Sequence, residues 1–245
     1  MDRTGVARFT IPIYHYSHER ERICLAGSGF MLRLDSRVVL ITAAHVSDHV
    51  IREELCVPAN GRFMSFPLQW LRTCGDSRDH TDVAIAPLRE EDARAMMVDY
   101  ECATIENVDD RIITAPEPMS VTGYPLSRNK TSRGARKILS RLSLQQGQHV
   151  SMSHPAFSEL RPLNNLVIHL PLHNRRSMSG HSSHSPYPKG MSGGPIWSVD
   201  GRTFHEQRIL CFRGIVGVGI EYHKATEVVV GTHIGTVLQT LTREV

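Results

Sequence analysis

The chain has 245 residues, enough for one large domain or two small domains with complete hydrophobic cores. Apolar residues make up 40% and charged residues 22%, which are the proportions of a soluble globular protein. The net charge of +3 is too small to indicate a nucleic-acid partner, and the basic cluster at 128–137 is interpreted as an exposed cationic loop. The first residues lack the apolar stretch of a secretory signal or membrane span, so no membrane association is expected.

Short apolar runs separated by Gly, Pro, Asn and Asp are typical of an all-β sandwich or a pair of barrels. In chain order, strands are predicted at 9–14, 29–34, 37–42, 63–68, 82–88, 119–123, 137–142, 165–170, 195–198, 208–220 and 226–231. Helical signals are few. Residues 89–97 are predicted to form a charged surface helix or loop, and residues 233–243 carry an apolar stripe at helical spacing.

The segment Gly-Met-Ser-Gly-Gly-Pro at 190–195 carries the strongest chemical signal. It places Ser192 in a glycine-rich turn, where backbone N–H groups can converge on a small anion. An accessible serine with flanking donors suits nucleophilic attack on a carbonyl carbon. Because a serine alone is a weak nucleophile, this interpretation requires a base and an orienting acid elsewhere in the chain.

Two upstream residues suit those roles. His45 follows a short β-branched run at 37–41, so it lies at the end of a predicted buried strand, and an imidazole titrates near neutral pH. Asp82 begins an apolar run at 83–88, and a carboxylate entering a buried strand needs a hydrogen-bond partner. Binding the imidazole N–H of His45 would satisfy the carboxylate and stabilise the imidazolium.

These motifs resemble those of the chymotrypsin-like (trypsin-like) serine protease family, in its bacterial trypsin-like peptidase form. The resemblance rests on Gly-Ser-Gly-Phe at 27–30 leading into Thr-Ala-Ala-His at 42–45, Thr-Asp-Val-Ala at 81–84, and the nucleophile loop at 190–195. It implies two antiparallel six-stranded β-barrels with a short C-terminal helix. Residues 1–110 would form the barrel that carries His45 and Asp82, and residues 111–245 the barrel that carries Ser192, with the connection near 101–116.

The resemblance also implies the activity, which is that of a serine endopeptidase acting on protein or peptide substrates through an acyl-enzyme. His45, Asp82 and Ser192 would be the catalytic triad, and the N–H groups of Gly190 and Ser192 the oxyanion hole. Met191 departs from the pattern, since animal relatives have an aspartate there that pairs with a new N-terminus. The loop is therefore expected to be held by packing and backbone hydrogen bonds, either permanently or under the control of an unknown activating partner.

The resemblance implies that the primary specificity pocket lies between a segment just before Gly190 and the strand at 217–222. The predicted lining residues are Ser185, Pro186, Tyr187, Gly217 and Gly219. The first segment has no acidic side chain, so a neutral or apolar P1 residue is predicted. Glu221 would reverse this preference if its carboxylate pointed into the pocket.

Alternative functions stay open at this stage. The chain could be a catalytically silent or partner-activated binding module with a protease fold. The pattern Gly-x-Ser-x-Gly at 190–194 also marks the nucleophile of α/β-hydrolases, but that fold needs its acid and histidine after the serine. Only one aspartate, Asp200, follows Ser192, and the remaining chain is too short for the required βα units.

The remaining composition predicts no metal or other cofactor. His169, His173, His181 and His184 occur close together, but in a segment with no cysteine and few carboxylates, so a mobile polar loop is favoured over zinc. The five cysteines are an odd, scattered set, and the bridges common in secreted relatives cannot form at Val46 and Pro188. A reducing, cytoplasmic location is therefore predicted.

Overall fold

The structure is a computed structural model that describes most of the chain. The described residues are 3–17, 19, 21–48, 55–65, 69–73, 81–129, 141–150, 157, 160, 163–171, 175–176, 182–183, 186–200 and 211–243. They form two β-sheet units and short helices, which is the predicted all-β class. The fold class is therefore confirmed.

The first unit is a twisted, mainly antiparallel sheet with strand order β5-β4-β1-β2-β3-β7-β6, and β8 pairs with β2 in parallel. Its strands are β1 (Ile11–Ser17), β2 (Arg22–Leu34), β3 (Arg37–Ala43), β4 (Leu55–Ala59), β5 (Arg62–Ser65), β6 (Leu71–Arg72), β7 (Val83–Pro87) and β8 (Cys102–Ala103). Among the described residues this sheet does not close into the six-stranded barrel that was predicted. Both faces of β2 and β3 are nevertheless buried over most of the C-terminal half of β2 and nearly all of β3. These parts of the two strands are therefore mainly apolar instead of alternating between apolar and polar residues.

The second unit is a closed antiparallel barrel of six strands with the order β10-β11-β16-β15-β14-β9. Its strands are β9 (Pro118–Gly123), β10 (Ser143–His149), β11 (Asn165–His169), β14 (Pro195–Val199), β15 (Phe212–His223) and β16 (Val228–His233). Two short strands, β12 (Arg175–Arg176) and β13 (Ser182–Ser183), form a separate hairpin. Closure leaves this barrel without an exposed edge strand.

Within the described ranges four α-helices accompany the sheets, namely α1 (Arg3–Ala7), α2 (Ala44–Ser47), α3 (Glu90–Met96) and α4 (Ile234–Arg243). The predicted C-terminal helix is confirmed as α4. His233 begins it, because its Nδ1 accepts the Gly235 N–H (3.1 Å) while its Nε2 donates to the Arg111 carbonyl (3.1 Å). Burial lowers the pKa of His233, which keeps the imidazole neutral and able to accept this hydrogen bond.

The largest apolar cluster lies between the two units and joins them. It contains Phe30 and Ile41 from the first unit, Trp197 from the second, and Val237 from α4. Phe9 from the N-terminal segment packs edge-on against Trp197, with ring centroids 5.6 Å apart. Because each unit buries side chains against the other, their relative position is fixed by core packing as well as by the connecting chain.

Candidate active site

His45 and Asp82 are joined in the first unit, at the ends of neighbouring strands. His45 lies in the single turn α2, directly after β3, and Asp82 lies directly before β7. The His45 Nδ1 donates a hydrogen bond to Asp82 Oδ2, and the His45 backbone N–H donates to Asp82 Oδ1 (3.0 Å). The Ala44 N–H donates to the Asp82 carbonyl (3.0 Å), so side chain and backbone together fix the imidazole. This arrangement leaves Nε2 of His45 directed away from the carboxylate.

Ser192 lies in the second unit and shares one cleft with that pair. The cleft has a volume of about 510 Å³, and its lining residues are His45, Asp82, Tyr187, Pro188, Lys189, Gly190, Ser192, Ile220, Glu221 and Tyr222. The side chain of His45 is about half exposed there. Among the described residues, no hydrogen bond joins Ser192 Oγ to His45. Hydrogen bonds of this kind are often long without substrate and shorten when the complex forms.

The Gly190 N–H is turned toward the cleft by the peptide that contains it. The Lys189 carbonyl accepts a hydrogen bond from the Leu126 N–H at 2.7 Å. In a trans peptide the C=O and N–H point to opposite sides, and the described residues contain no cis peptide. The Gly190 N–H therefore points away from Leu126. It has no acceptor among the described residues, and Gly190 lines the cleft.

The Ser192 N–H also has no acceptor among the residues that the structure describes, for the same reason. The Met191 carbonyl accepts the Gly194 N–H at 3.0 Å, so the N–H of the same peptide, which belongs to Ser192, points the other way. Gly190 has a φ of +93°, a conformation that favours glycine, and both Gly190 and Ser192 line the cleft. Two backbone donors that have no acceptor in the described part of the chain, beside an accessible hydroxyl, can bind a developing oxyanion.

Packing supports this loop in place of an ion pair. Met191 is 2% exposed and lies in an apolar cluster with Met119, Val121 and Val229 of the barrel. A β-carbon at Gly123 would lie 2.7 Å from the Met191 β-carbon, so the strand β9 passes directly over it. The absence of an aspartate at this position is thus matched by apolar surroundings that would not tolerate a charge.

The floor of the cleft is narrow beside Ser192. The adjoining cavity has a volume of about 20 Å³, room for roughly one water molecule. Its lining is mostly apolar, with Val121, Met191 and Val229 among it, and it also includes Glu221. Tyr222 lines this cavity, and its ring meets edge to face the ring of Tyr187, which lines the cleft, with ring centroids 5.3 Å apart. Burial, together with the nearby Glu227 and Tyr187, raises the pKa of Tyr222 to about 12, so its phenol stays neutral.

The predicted specificity residues are distributed as follows. Tyr187 lines the cleft and Gly219 lines the small cavity. Pro186 does not line either one, and its carbonyl accepts a hydrogen bond from the buried Gln145 (2.7 Å). Gly217 faces Leu166 and the Thr232 carbonyl inside the barrel, so it contributes no wall. Ser185 lies outside the described residues.

The second wall consists of Ile220, Glu221 and Tyr222 instead of Gly217. The pairing of β15 with β16 shifts register between Gly219 and Glu221, and such a bulge changes which side chains face the cleft. Glu221 lines both the cleft and the small cavity, and its carboxylate accepts a hydrogen bond from His223 Nε2 (2.9 Å) and is about half exposed. Register shifts of this kind leave no clear signal in a single sequence.

Two further structural findings concern expectations about ligands and membranes. Within the described ranges, no group of three His, Cys, Asp or Glu side chains is arranged to hold a metal ion. His173, His181 and His184 lie outside those ranges. In the same part of the chain, none of the helices has the length and apolar character needed to cross a membrane.

Ser28 also contacts the nucleophile loop, a role that was not predicted although this residue lies in the Gly-Ser-Gly segment at 27–29. Its side chain is fully buried, and its hydroxyl contacts the backbone of the nucleophile loop from the first unit. A hydroxyl placed between two glycines in a buried strand is the signal that could have identified it, because such a group needs hydrogen-bond partners.

Comparisons with known proteins support the fold. No family model and no curated sequence matches the chain. Among solved structures, the serine protease domain of Sesbania mosaic virus polyprotein aligns with a TM-score of 0.53 and 14% identity, covering 93% of this chain and 90% of that one. Neuropsin from mouse brain aligns with a TM-score of 0.57 and 12% identity, covering 97% and 94%. The active form of a protease from M. tuberculosis aligns with a TM-score of 0.53 and 15% identity, covering 98% of this chain and 82% of that one.

Viral, animal and bacterial proteases thus match at similar levels. At such low identity the likeness concerns the backbone, and it does not distinguish a bacterial subtype from the others. The likeness of the backbone agrees with the closed barrel, the second sheet and the C-terminal helix. The chain has the fold of the chymotrypsin-like serine proteases.

Proposed function

We propose that this protein is a serine endopeptidase in which Ser192 is the nucleophile, His45 the general base and Asp82 the residue that orients His45. One observation carries the proposal. The loop at 189–192 has two N–H groups, those of Gly190 and Ser192, for which the described ranges contain no acceptor, and both residues line the cleft that also contains the hydrogen-bonded His45–Asp82 pair. A structural turn would use these donors internally, whereas an oxyanion hole leaves them open.

The proposed reaction follows from these positions. Ser192 Oγ attacks the peptide carbonyl carbon while Nε2 of His45 takes its proton. The carbonyl oxygen becomes an oxyanion and accepts hydrogen bonds from the Gly190 and Ser192 N–H groups. His45 then donates the proton to the leaving amine, and an acyl-enzyme remains. Water repeats the steps with His45 first as base and then as acid, which releases the carboxylic acid product.

The substrate class is a peptide with a small uncharged P1 residue. The small cavity that adjoins the cleft at Ser192 is about 20 Å³, and its lining is mostly apolar but includes the charged Glu221, already hydrogen-bonded to His223. A long P1 side chain would have to displace residues of this lining, such as Tyr222. Hydrolysis of a peptide library with varied P1 tests this preference. Cleavage fastest after alanine, glycine or serine is expected, and cleavage fastest after arginine or lysine would contradict it.

The activity itself is tested with a fluorophosphonate probe, which reacts with an activated serine whatever the P1 preference. Wild type, Ser192→Ala, His45→Ala and the matched control Ser198→Ala are compared. Ser198 is a buried serine of β14 that does not line the cleft. Labelling is expected in wild type and Ser198→Ala and absent from the other two variants. Equal labelling of Ser192→Ala would refute the assignment.

A second candidate is a protease-fold module that becomes active only with a partner. The observation that favours it is the missing hydrogen bond between Ser192 Oγ and His45. Slow labelling of the isolated protein that accelerates on adding a partner fraction would support this candidate. Rapid labelling of the purified protein alone would rule it out.

A further inference from the structure

Ser28 links the first unit to the nucleophile loop of the second. It lies in β2, and its side chain is fully buried. Its hydroxyl donates a hydrogen bond to the Gly190 carbonyl (3.1 Å) and accepts one from the Tyr124 N–H (2.9 Å). The Tyr124 donor occupies an oxygen lone pair, so the single hydroxyl proton is available to the Gly190 carbonyl. In this contact the Ser28 hydroxyl is therefore always the donor and the Gly190 carbonyl the acceptor.

The peptide that Ser28 binds is the central one of the loop. Gly190 and Met191 share it, and it lies between the two peptides that carry the open N–H groups of Gly190 and Ser192. With the carbonyl held by Ser28, the Met191 N–H on the opposite side donates to the Pro188 carbonyl (2.8 Å). A rotation of this peptide would change the dihedral angles on both sides, and the two open donors would no longer converge.

Backbone contacts hold Ser28 in place independently of its hydroxyl. Its N–H donates to the Ser192 carbonyl (2.8 Å), and its carbonyl accepts from Thr42 Oγ1 (2.7 Å). Thr42 belongs to β3, the strand that leads into His45. Removing only the Ser28 hydroxyl would therefore leave the strand and its partner strand in register, and would remove one of the two hydrogen bonds that hold the central peptide of the loop.

We propose that Ser28 is a positioning residue that sets the oxyanion hole, acting through the peptide between Gly190 and Met191. The inference rests on the proposed function, since it assigns a role within that reaction. It predicts that the hydroxyl contributes to the rate of reaction at Ser192 and very little to the binding of the reactant. A purely structural hydroxyl would instead contribute to stability alone.

The test compares Ser28→Ala with the matched control Ser198→Ala. Ser198 is also a fully buried strand serine with two partners, Asp109 Oδ2 (2.7 Å) and the Gly214 carbonyl (3.3 Å). The inactivation of each full-length protein by a fluorophosphonate probe gives a maximal rate and a half-saturating concentration. Both variants are expected to lose roughly 2–8 °C in Tm, because each removes the hydrogen bonds of a buried hydroxyl.

The two variants should differ in the maximal rate. Ser28→Ala is expected to lower it by at least about 30-fold, a large part of the roughly 10²–10³-fold that one oxyanion donor contributes. The half-saturating concentration should change by less than about threefold, and Ser198→Ala should keep the wild-type rate. Ser28→Cys, whose thiol is a weak donor, should fall between Ser28→Ala and wild type, and it carries the test if Ser28→Ala does not fold.

Several outcomes would overturn the inference. They are a Ser28→Ala rate within about threefold of wild type, an equal loss in Ser198→Ala, an effect confined to the half-saturating concentration, or a full wild-type rate in Ser28→Cys. If the wild type itself is not labelled, or Ser192→Ala is labelled equally, the proposed function fails and the role of Ser28 fails with it. A labelled wild type with an unaffected Ser28→Ala refutes the role of Ser28 alone.

Discussion

Replacing Met191 by alanine tests how the nucleophile loop is held. Met191 is 2% exposed within the barrel cluster, and the strands around it are hydrogen-bonded on both sides. A closed barrel can collapse little into the space that is left, so the cavity term adds to the lost transfer free energy. We expect a decrease of about 3 kcal/mol in the free energy of unfolding, within the roughly 2–5 kcal/mol range for such truncations.

The same substitution should also loosen the loop. Met191 contributes one of the peptides that direct the Ser192 N–H, so its motion would misalign the oxyanion donors. We expect the fluorophosphonate labelling rate to fall by at least about tenfold, measured well below the unfolding transition. The fall in Tm should be roughly 6–12 °C, which follows from about 3 kcal/mol in a chain of this length.

Met119→Ala is the matched control. Met119 is 1% exposed and lies in the same cluster, on β9, but it does not belong to the loop. It should lose a similar amount of stability and keep the labelling rate of the wild type. If Met191→Ala and Met119→Ala were labelled at the same rate, the loop would not depend on this anchor and the reasoning would be refuted.

Three further predictions concern the triad, the loop and the C-terminal helix. Asp82→Asn should lower kcat about 10⁴-fold by favouring the wrong tautomer of His45, and a loss below about tenfold in steady-state kinetics would contradict this. Gly193→Ala should destabilise the protein by at least about 3 kcal/mol in urea titrations, because a β-carbon would overlap the Ser28 carbonyl at a φ of +85°; an unchanged midpoint would count against it. Because the pKa of His233 is lowered in the folded protein, the unfolded chain binds the proton more readily. The contribution of neutral His233 to the free energy of unfolding is therefore present above about pH 6.5 and is lost as the pH falls, by at most about 1.4 kcal/mol per pH unit. His233→Asn should flatten this dependence, and equal slopes for both proteins in unfolding experiments would refute it.

The all-β class and the C-terminal helix could be predicted because their signals are local. The continuous apolar run of β3 and the stripe of α4 are visible within single short windows. The positions of His45 and Asp82 are also local, since each adjoins a strong strand. The hairpin of β4 and β5 turns at Asn60 and Gly61, both with positive φ, yet β4 was not predicted.

Strand β10 shows where the local signal fails. Its sequence, Ser143–His149, contains three glutamines and a glycine, and a strand was predicted at 137–142 instead. Residues 141–142 are not in a strand, and 137–140 lie outside the described residues. Tertiary pairing overrides propensity here, because β10 pairs with β9 over six residues and Gln145 is buried against the Pro186 carbonyl.

The walls of the cleft were beyond sequence reasoning for a related reason. Which of Gly217, Ile220 and Tyr222 faces Ser192 depends on the bulge in β15, and a single register step exchanges the two faces of a strand. The role of Ser28 likewise depends on the docking of one unit against the other. Such long-range arrangements leave the residue types unchanged, so the composition of the motif does not reveal them.

The two supports of the nucleophile loop, the packing of Met191 and the hydrogen bond from Ser28, differ from an ion pair in what can disturb them. An ion pair to a carboxylate would respond to a single charged group, which can be supplied or withdrawn. Met191 is instead held by the barrel core and Gly190 by a hydroxyl from the first unit, so both supports form when the two units fold and dock. A partner that regulated this loop would therefore have to change the packing between the units. Substitutions in the inter-unit cluster, for example of Phe9 or of Trp197, which it contacts, should then change the labelling rate, even though neither ring lines the cleft.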